Sequence, residues 1–432
     1  MWTRIRNVLA NNSVMMRLAI TLGLVAVYRI ASFIPIPLFN SELLAGNNQW
    51  GSGFLGILNS YTGQALARYS VLSLGISPYI TASIVVQLLQ VVIPQMKEWQ
   101  EEGEVGKAKA SRVTKYLAIV LALAQAFLLI LGTGVRGSQI QVGVDSGFFT
   151  YFYMALVVTA GSAFTIWLAD MITAKGVGNG SSILIGVGVM TSIPLMISTL
   201  NTKYLVDPTG WNVTTYVFIL LLYVAILLAV VYMNIAKRKI PISYSNRQGN
   251  VGRSDSNIPM KINSAGVLPV IFASTLLSVP LTIVGLLETY VSAGASSWIN
   301  SIFSYNEPIG FIIYIILIIV FSFFYTFMVT NPHKIADNLS KSNAYIPGVR
   351  PGEDTKNYIS KILFKVTVIG TLYLVILAAL PIITAVVFGF VGQEASYITI
   401  GGTSLLIIVG VAVDTTQQVE AQANQETYQG LL

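Results

Sequence analysis

The sequence predicts an all-α polytopic membrane protein, with ten transmembrane helices in two halves of five. Three observations carry this. Of 432 residues, 54% are hydrophobic and only 10% are charged, against roughly 25% charged in a soluble domain, and the mean hydropathy is +0.71. Apolar runs of about the 20 residues that cross a hydrocarbon core recur along the whole chain. Lysine and arginine crowd alternate connections, which is the pattern that fixes topology.

The runs lie near 17–38, 74–94, 113–133, 148–170, 179–200, 213–234, 264–287, 306–328, 364–388 and 397–413. Trp2, Arg4, Arg6 and Arg17 lead directly into the first, with no A-x-A-like cleavage site, so it is expected to stay in the mature protein. Of the 25 Lys and Arg, only Arg68, Arg136 and Lys203 fall in the external set of loops, and Arg29 lies within the first span. Both termini and the long segments 95–112, 235–263 and 329–363 are therefore expected to be cytoplasmic. Five spans per half give residues 1–205 and 206–432 opposite topologies, the arrangement of inverted-repeat channels and transporters. The sequence itself shows no convincing internal repeat.

The connection after the first span resists this division. Gly51–Gly75 reads GSGFLGILNSYTGQALARYSVLSLG, with Phe54, Leu58, Tyr61 and Ala65 at helical spacing. Asn59, Gln64, Arg68 and the glycines make it a poor span, since one central Arg costs roughly 2.5–3.5 kcal/mol on an insertion scale. The segment is too apolar for an ordinary loop and too polar for lipid.

Several chemistries lack their residues. There is no cysteine and a single histidine, His333, which removes disulfides, thiol redox chemistry and a Cys/His metal site. No Ser/His/Asp set or carboxylate pair supports an enzyme, and no cofactor is expected. Secondary transport usually needs a titratable group at the membrane midplane, yet the span centres carry almost none. Arg29 is near the outer end of its span, where it can snorkel, and Asp170 and Asp414 fall at helix ends. KGVGNGSS, Lys175 to Ser182, lacks the spacing of a phosphate-binding loop and joins two helices by the shortest route. Small and polar residues gather in the second and seventh spans, among them Pro78, Thr81, Ser83 and Gln87, then Asn263, Ser264, Gly266 and Pro269, with Gln125 in the third. Such residues permit close helix contacts, and Pro/Gly interruption at corresponding places of two halves points to a functional seam.

PYITASIVVQLLQ at 78–90, GVGNGSSI at 176–183, IPMKINSAGVLPVIFAS at 258–274, NPHKIADNL at 331–339, YIPGVRPGEDT at 345–355 and GGTSLLI at 401–407 closely resemble the SecY family. The matches keep the family's order over nearly the whole chain. The resemblance implies the pore subunit of the bacterial protein-conducting channel, an hourglass with a plug and a lateral gate in the cytoplasmic membrane. Unfolded secretory chains would cross it and hydrophobic helices would leave sideways into lipid. It implies a pore ring of Ile76, Ile80, Ser181, Ile185, Ile271 and Ile407, with Ser181 departing from the usual aliphatic. It makes residues 51–72 a plug, a short helix whose Phe54, Leu58, Tyr61 and Ala65 belong to it. Phe54, Leu58 and Ala65 would face the ring, while Asn59, Gln64 and Arg68 face water. It implies a gate between the second and third spans and the seventh and eighth, latched by hydrogen bonds of Gln87, Gln125 and Asn263.

The implied partners are SecE and SecG-like small membrane subunits, the SecA motor ATPase, the ribosome, signal peptides with unfolded presecretory chains, and anionic lipids. The loops 235–263 and 329–363 would dock the driving partner. Arg350 stands at a Pro-Gly turn, Arg247 and Arg253 lie in position to meet ribosomal phosphates, and Lys237, Arg238 and Lys239 would anchor a helix end at the headgroups. The tip NRQGNVGRSDSN and the tail EAQANQETYQGLL are less basic than the family pattern, which keeps open an accessory member with restricted cargo. A solute transporter and a pore-less insertase are the rival classes.

Overall fold

A computed structural model describes residues 12–38, 59, 61–132, 147–205, 210–244, 257–286, 293–304, 307–390 and 393–429. Helices occupy each of the ten expected apolar runs. They are α1 (Asn12–Ala31), α2 (Ser77–Val92), α4 (Glu104–Gly132), α5 (Phe148–Lys175), the broken pair α6 (Gly180–Val189) and α7 (Ser192–Tyr204), α8 (Gly210–Ile235), α9 (Leu268–Leu286), α11 (Pro308–Val329), α13 (Glu353–Val387) and α14 (Gln393–Gln429). Short helices α3 (Pro94–Glu101), α10 (Ala293–Phe303) and α12 (Pro332–Lys341) sit in the connections. Seven helical stretches among the described residues are long and apolar enough to cross a membrane. In the first half α2 packs on α4 and α4 on α5; in the second, α9 packs on α11, α11 on α13 and α13 on α14. The halves meet where α14 covers α6 and α7 and where α9 touches α4.

The prolines expected to interrupt the second and seventh spans open them instead. Pro78 lies in the first turn of α2 and Pro269 in that of α9, where a missing N–H was unpaired in any case. Pro280 and Pro381 are the prolines inside helices. Asn263 consequently stands before α9, in a turn that also holds Gly266 at φ +63°.

Two of the long loops fold together at one end of the bundle. Strands β1 (Lys237–Pro241) and β3 (Asn257–Lys261) pair antiparallel with Ile240 opposite Ile258, and β2 (Ser243–Tyr244) pairs with β4 (Ala344–Tyr345). Ile240, Met260, Leu339, Ala344, Ile346, Ile359 and Leu363 form a small buried core between this hairpin, α12 and the start of α13. Lys237, Arg238 and Lys239 are exposed residues of β1, directly beyond the end of α8.

Candidate functional site: a funnel, an apolar waist and a seated segment

The ring positions converge from four helices. Ile76 and Ile80 stand at the start of α2, Ile185 on α6, Ile271 on α9 and Ile407 on α14, and all five belong to one buried apolar cluster at the centre of the bundle. Each is only 2–8% exposed. Ile80, Ser181, Ile185, Ile271 and Ile407 also line a cavity of about 700 Å³ whose lining extends to Lys261 at the end of β3 and Asp414 on α14. Ile76, one turn away, lies outside that lining. The cavity is a candidate funnel, and the isoleucines at its border a candidate waist.

Ser181 is half-buried and placed by its loop. Gly178 takes φ +83°, and the Asn179 side chain then accepts hydrogen bonds from the Ser181 and Ser182 amides at 3.0 and 3.3 Å, starting α6. A methyl on Gly180 would stand 2.7 Å from the Ala169 carbonyl carbon, so glycine is what lets this turn close on α5. The Thr21 hydroxyl on α1 accepts from the Val177 amide at 3.0 Å. KGVGNGSS is thus a pinned helix start that places Ser181 in the lining of the cavity.

The funnel wall mixes polar and apolar side chains. Asp170 pairs with Lys115 at 2.7 Å and Asp414 with Lys261 at 3.0 Å, all of them partly exposed. Such pairs contribute little stability. They leave the wall wet but locally neutral, which suits passage of varied side chains. An apolar constriction of this kind is the sort that gates by dewetting.

Packed against the isoleucine cluster lies the described part of the expected plug, helical at Asn59 and Tyr61 and a succession of turns over 62–76. Gly63 and Gln64 adopt φ +66° and +67°, and the Gln64 amide donates to the Asn59 carbonyl at 2.7 Å. Asn59, expected to face water, is buried and its side chain accepts from the Ala67 amide at 2.9 Å. Gly63 is no penalty to a helix here; it supplies the left-handed turn. Ala65 and Leu72 join the ring cluster, and Tyr61 packs against it with its hydroxyl 3.4 Å from that of Ser274 on α9. Arg68 is exposed, its guanidinium 4.4 Å over the Phe33 ring. Phe54 and Leu58 lie outside the described residues.

Two close approaches fix the seating, and neither was visible in the sequence. A methyl on Gly188 of α6 would stand 3.0 Å from the Tyr61 carbonyl carbon, and one on Gly161 of α5 would stand 2.8 Å from that of Val71. The segment's backbone rests on bare glycine faces of two helices.

The expected gate latch has another form. Gln87 donates to Ser83 one turn away at 2.9 Å, and Asn263 donates to Asn234 at the end of α8 at 3.3 Å. Gln87, Gln125 and Asn263 make no hydrogen bond to one another among the described residues. Gln87 and Asn263 face the same funnel, while Gln125 is half-buried on α4. One amide oxygen of Gln87 is buried with no partner. The physical reason is register: Asn263 precedes its helix and reaches α8 before it reaches α2. Arg350 is exposed, and its carbonyl accepts from the Thr355 hydroxyl at 2.8 Å, leaving the side chain free to project. Arg247 and Arg253 lie outside the described residues.

A sequence profile described as SecY matches residues 70–416. The chain is 41% identical to the protein translocase subunit SecY of Halalkalibacterium halodurans and 38% identical to that of Bacillus subtilis, each over 100% of both chains. Among solved structures, one described as a protein conducting channel superposes with a TM-score of 0.64 at 20% identity, covering 94% of this chain and 92% of the other. Another, at TM-score 0.63, 20% identity and the same coverage, is described as showing that the plug domain of the SecY protein stabilises the closed state and maintains a membrane seal. Canine Sec61 in a ribosome-channel complex gives 0.63 at 18% identity, with 94% and 92% covered.

Proposed function

The chain belongs to the SecY family, and from that premise we propose that it is the central channel subunit of the general secretion machinery. Unfolded secretory proteins enter the funnel, part the isoleucine ring and displace the segment behind it. Hydrophobic helices leave sideways between α2/α4 and α9/α11. The observation that carries this reading is a juxtaposition: a cavity of about 700 Å³ bordered by four of five clustered, buried isoleucines, and a turn-rich segment packed on the same cluster and seated on glycines. A solute carrier has no use for a waist without a binding group, and a pore-less insertase has no use for a seated closure.

The two halves, 1–205 and 206–432, are the walls that separate when the gate opens, with α4–α9 as the contact that parts. Residues 51–72 are the plug. The loops 235–263 and 329–363 form the docking platform for SecA or a ribosome, with Arg350 as the projecting contact. The exposed Lys237, Arg238 and Lys239 add sequence-independent attraction to RNA phosphates or anionic lipids. SecE and SecG-like subunits complete the complex, and both termini face the cytoplasm of a bacterial cytoplasmic membrane. Reconstitution with a SecE partner and SecA tests this: ATP-driven transport of a presecretory protein is expected, and solute uptake without it would overturn the proposal.

A further inference from the structure

Arg17, Lys115 and Lys365 stand at the very starts of expected spans, whereas Arg29 is the one cation deeper within one, and the funnel does not use it. An ionisable group at membrane depth asks for a named partner. Snorkelling would turn it outward along α1. The structure turns it inward: Arg29 is half-buried in the last turn of α1, and its Nη1 donates to the Gly63 carbonyl at 3.4 Å. Among the described residues no carboxylate pairs with it. Its like-charged neighbour Arg68 is drawn off onto the Phe33 ring. A backbone carbonyl of the plug segment is therefore what compensates this guanidinium.

The surroundings fix the pair. Tyr28, beside Arg29, is buried in the same cluster as the isoleucine ring, so α1 cannot turn about its axis without breaking that packing. Gly63 is enclosed from both sides: a methyl there would stand 3.3 Å from the Gly188 Cα and 3.4 Å from the Arg29 Cζ. Beyond α1 the chain keeps hold of the segment, with the Ile36 amide donating to Tyr69 at 2.8 Å and the Val71 amide donating to Ile34 at 2.9 Å. Those two bonds grip the end nearest α2. Arg29 grips the turn that lies over the waist.

We propose that Arg29 is a positioning residue for the plug: its guanidinium holds the Gly63 carbonyl and keeps the turn seated until a passing chain displaces it. This rests on the channel reading. When the turn leaves, the side chain has a second solution at the nearby helix end, where it meets water. The latch is thus charged enough to hold and placed shallowly enough to release.

The chain has no cysteine, so Ala65→Cys gives a background-free reporter at a position that is 0% exposed when seated. Full-length protein carrying it, reconstituted with its partner subunits, is labelled with a membrane-impermeant maleimide, and idle ion flux is measured alongside. Arg29→Met is expected to speed labelling at least about 10-fold, the weight of a hydrogen bond to a charged group, and to raise idle flux. Arg29→Lys, which keeps charge and donor, is expected to recover most of the protection. Gly63→Ala, which pushes the carbonyl off the guanidinium, should reproduce the leak and carries the test if Arg29→Met fails to accumulate. Labelling and flux equal to the parent in Arg29→Met would overturn the latch, as would equal acceleration by Met and Lys. Presecretory transport is followed in the same vesicles: a transporting channel that stays sealed without Arg29 refutes the latch alone, whereas a parent that does not transport refutes the channel reading.

Discussion

Gly188→Ala separates the seating of the plug from the stability of the helix that carries it. A methyl at 188 would stand 3.0 Å from the Tyr61 carbonyl carbon, nearer still to its oxygen, and 3.3 Å from the Gly63 nitrogen. Ordinary carbon contacts lie at about 3.5–4.0 Å, so the turn at 61–63 must retreat by about half an ångström or more. Overpacking of this kind costs about 1–3 kcal/mol, which multiplies the unseated population by about 5- to 150-fold. The same substitution favours α6, because alanine exceeds glycine in a helix interior by about 1 kcal/mol. Gly186→Ala supplies the control: its methyl would meet Val411 at 3.7 Å, an ordinary contact, so it gains the helix term with no steric penalty. Idle ion conductance in planar bilayers and thermal unfolding of the purified complex are the readouts. Gly188→Ala is expected to leak with its fold intact, and Gly186→Ala to stay sealed. A sealed Gly188→Ala channel, or equal leaks in both, would refute the reasoning that backbone contact at Gly188 seats the segment.

Three other outcomes follow from the site. Ser181→Ile removes the hydroxyl from the mouth of the waist and is expected to lower residual idle conductance several-fold without loss of precursor transport, measured in the same bilayers. Arg350→Glu is expected to abolish SecA-driven transport while the protein still folds and inserts, because the Thr355 hydroxyl holds the backbone of that turn and not the guanidinium; vesicle import with quantified membrane levels checks it. Gln87→Leu removes a buried oxygen that has no partner, and is expected to stabilise the closed complex by about 1 kcal/mol and to slow lateral release of weakly hydrophobic segments, read by thermal unfolding and an insertion assay.

The spans were legible because lipid demands some 20 apolar residues of any helix that crosses it, and a helix occupies each of the ten runs, seven helical stretches among the described residues being long and apolar enough to cross. The waist was legible by resemblance rather than by pattern, since an isoleucine in a membrane helix looks the same at a pore as in ordinary packing. What escaped lies at right angles to the sequence. Position along α1 placed Arg29 near the helix end but not its direction around the axis, and the snorkelling expectation turned it outward where the structure turns it inward. Helical spacing of Tyr61 and Ala65 suggested a helix, yet two successive residues at φ +66° and +67° make turns that present the same two side chains to the waist. Gly161 and Gly188 carried no signal of their own in the sequence, because close approach is a property of the partner's position. The β1–β3 hairpin had a signal that went unused: KRKIP and NIPMK are short strand-like stretches flanking a polar, glycine-containing tip.

The most direct measurement places a photoreactive side chain singly at Ile185, Ile271 or Ile407 and arrests a presecretory chain midway. The central claim is that the waist is the path. Crosslinks from all three positions to the arrested chain, and none from Val217 on the outer face of α8, are the expected result. Crosslinks at Val217 with silence at the ring would contradict it.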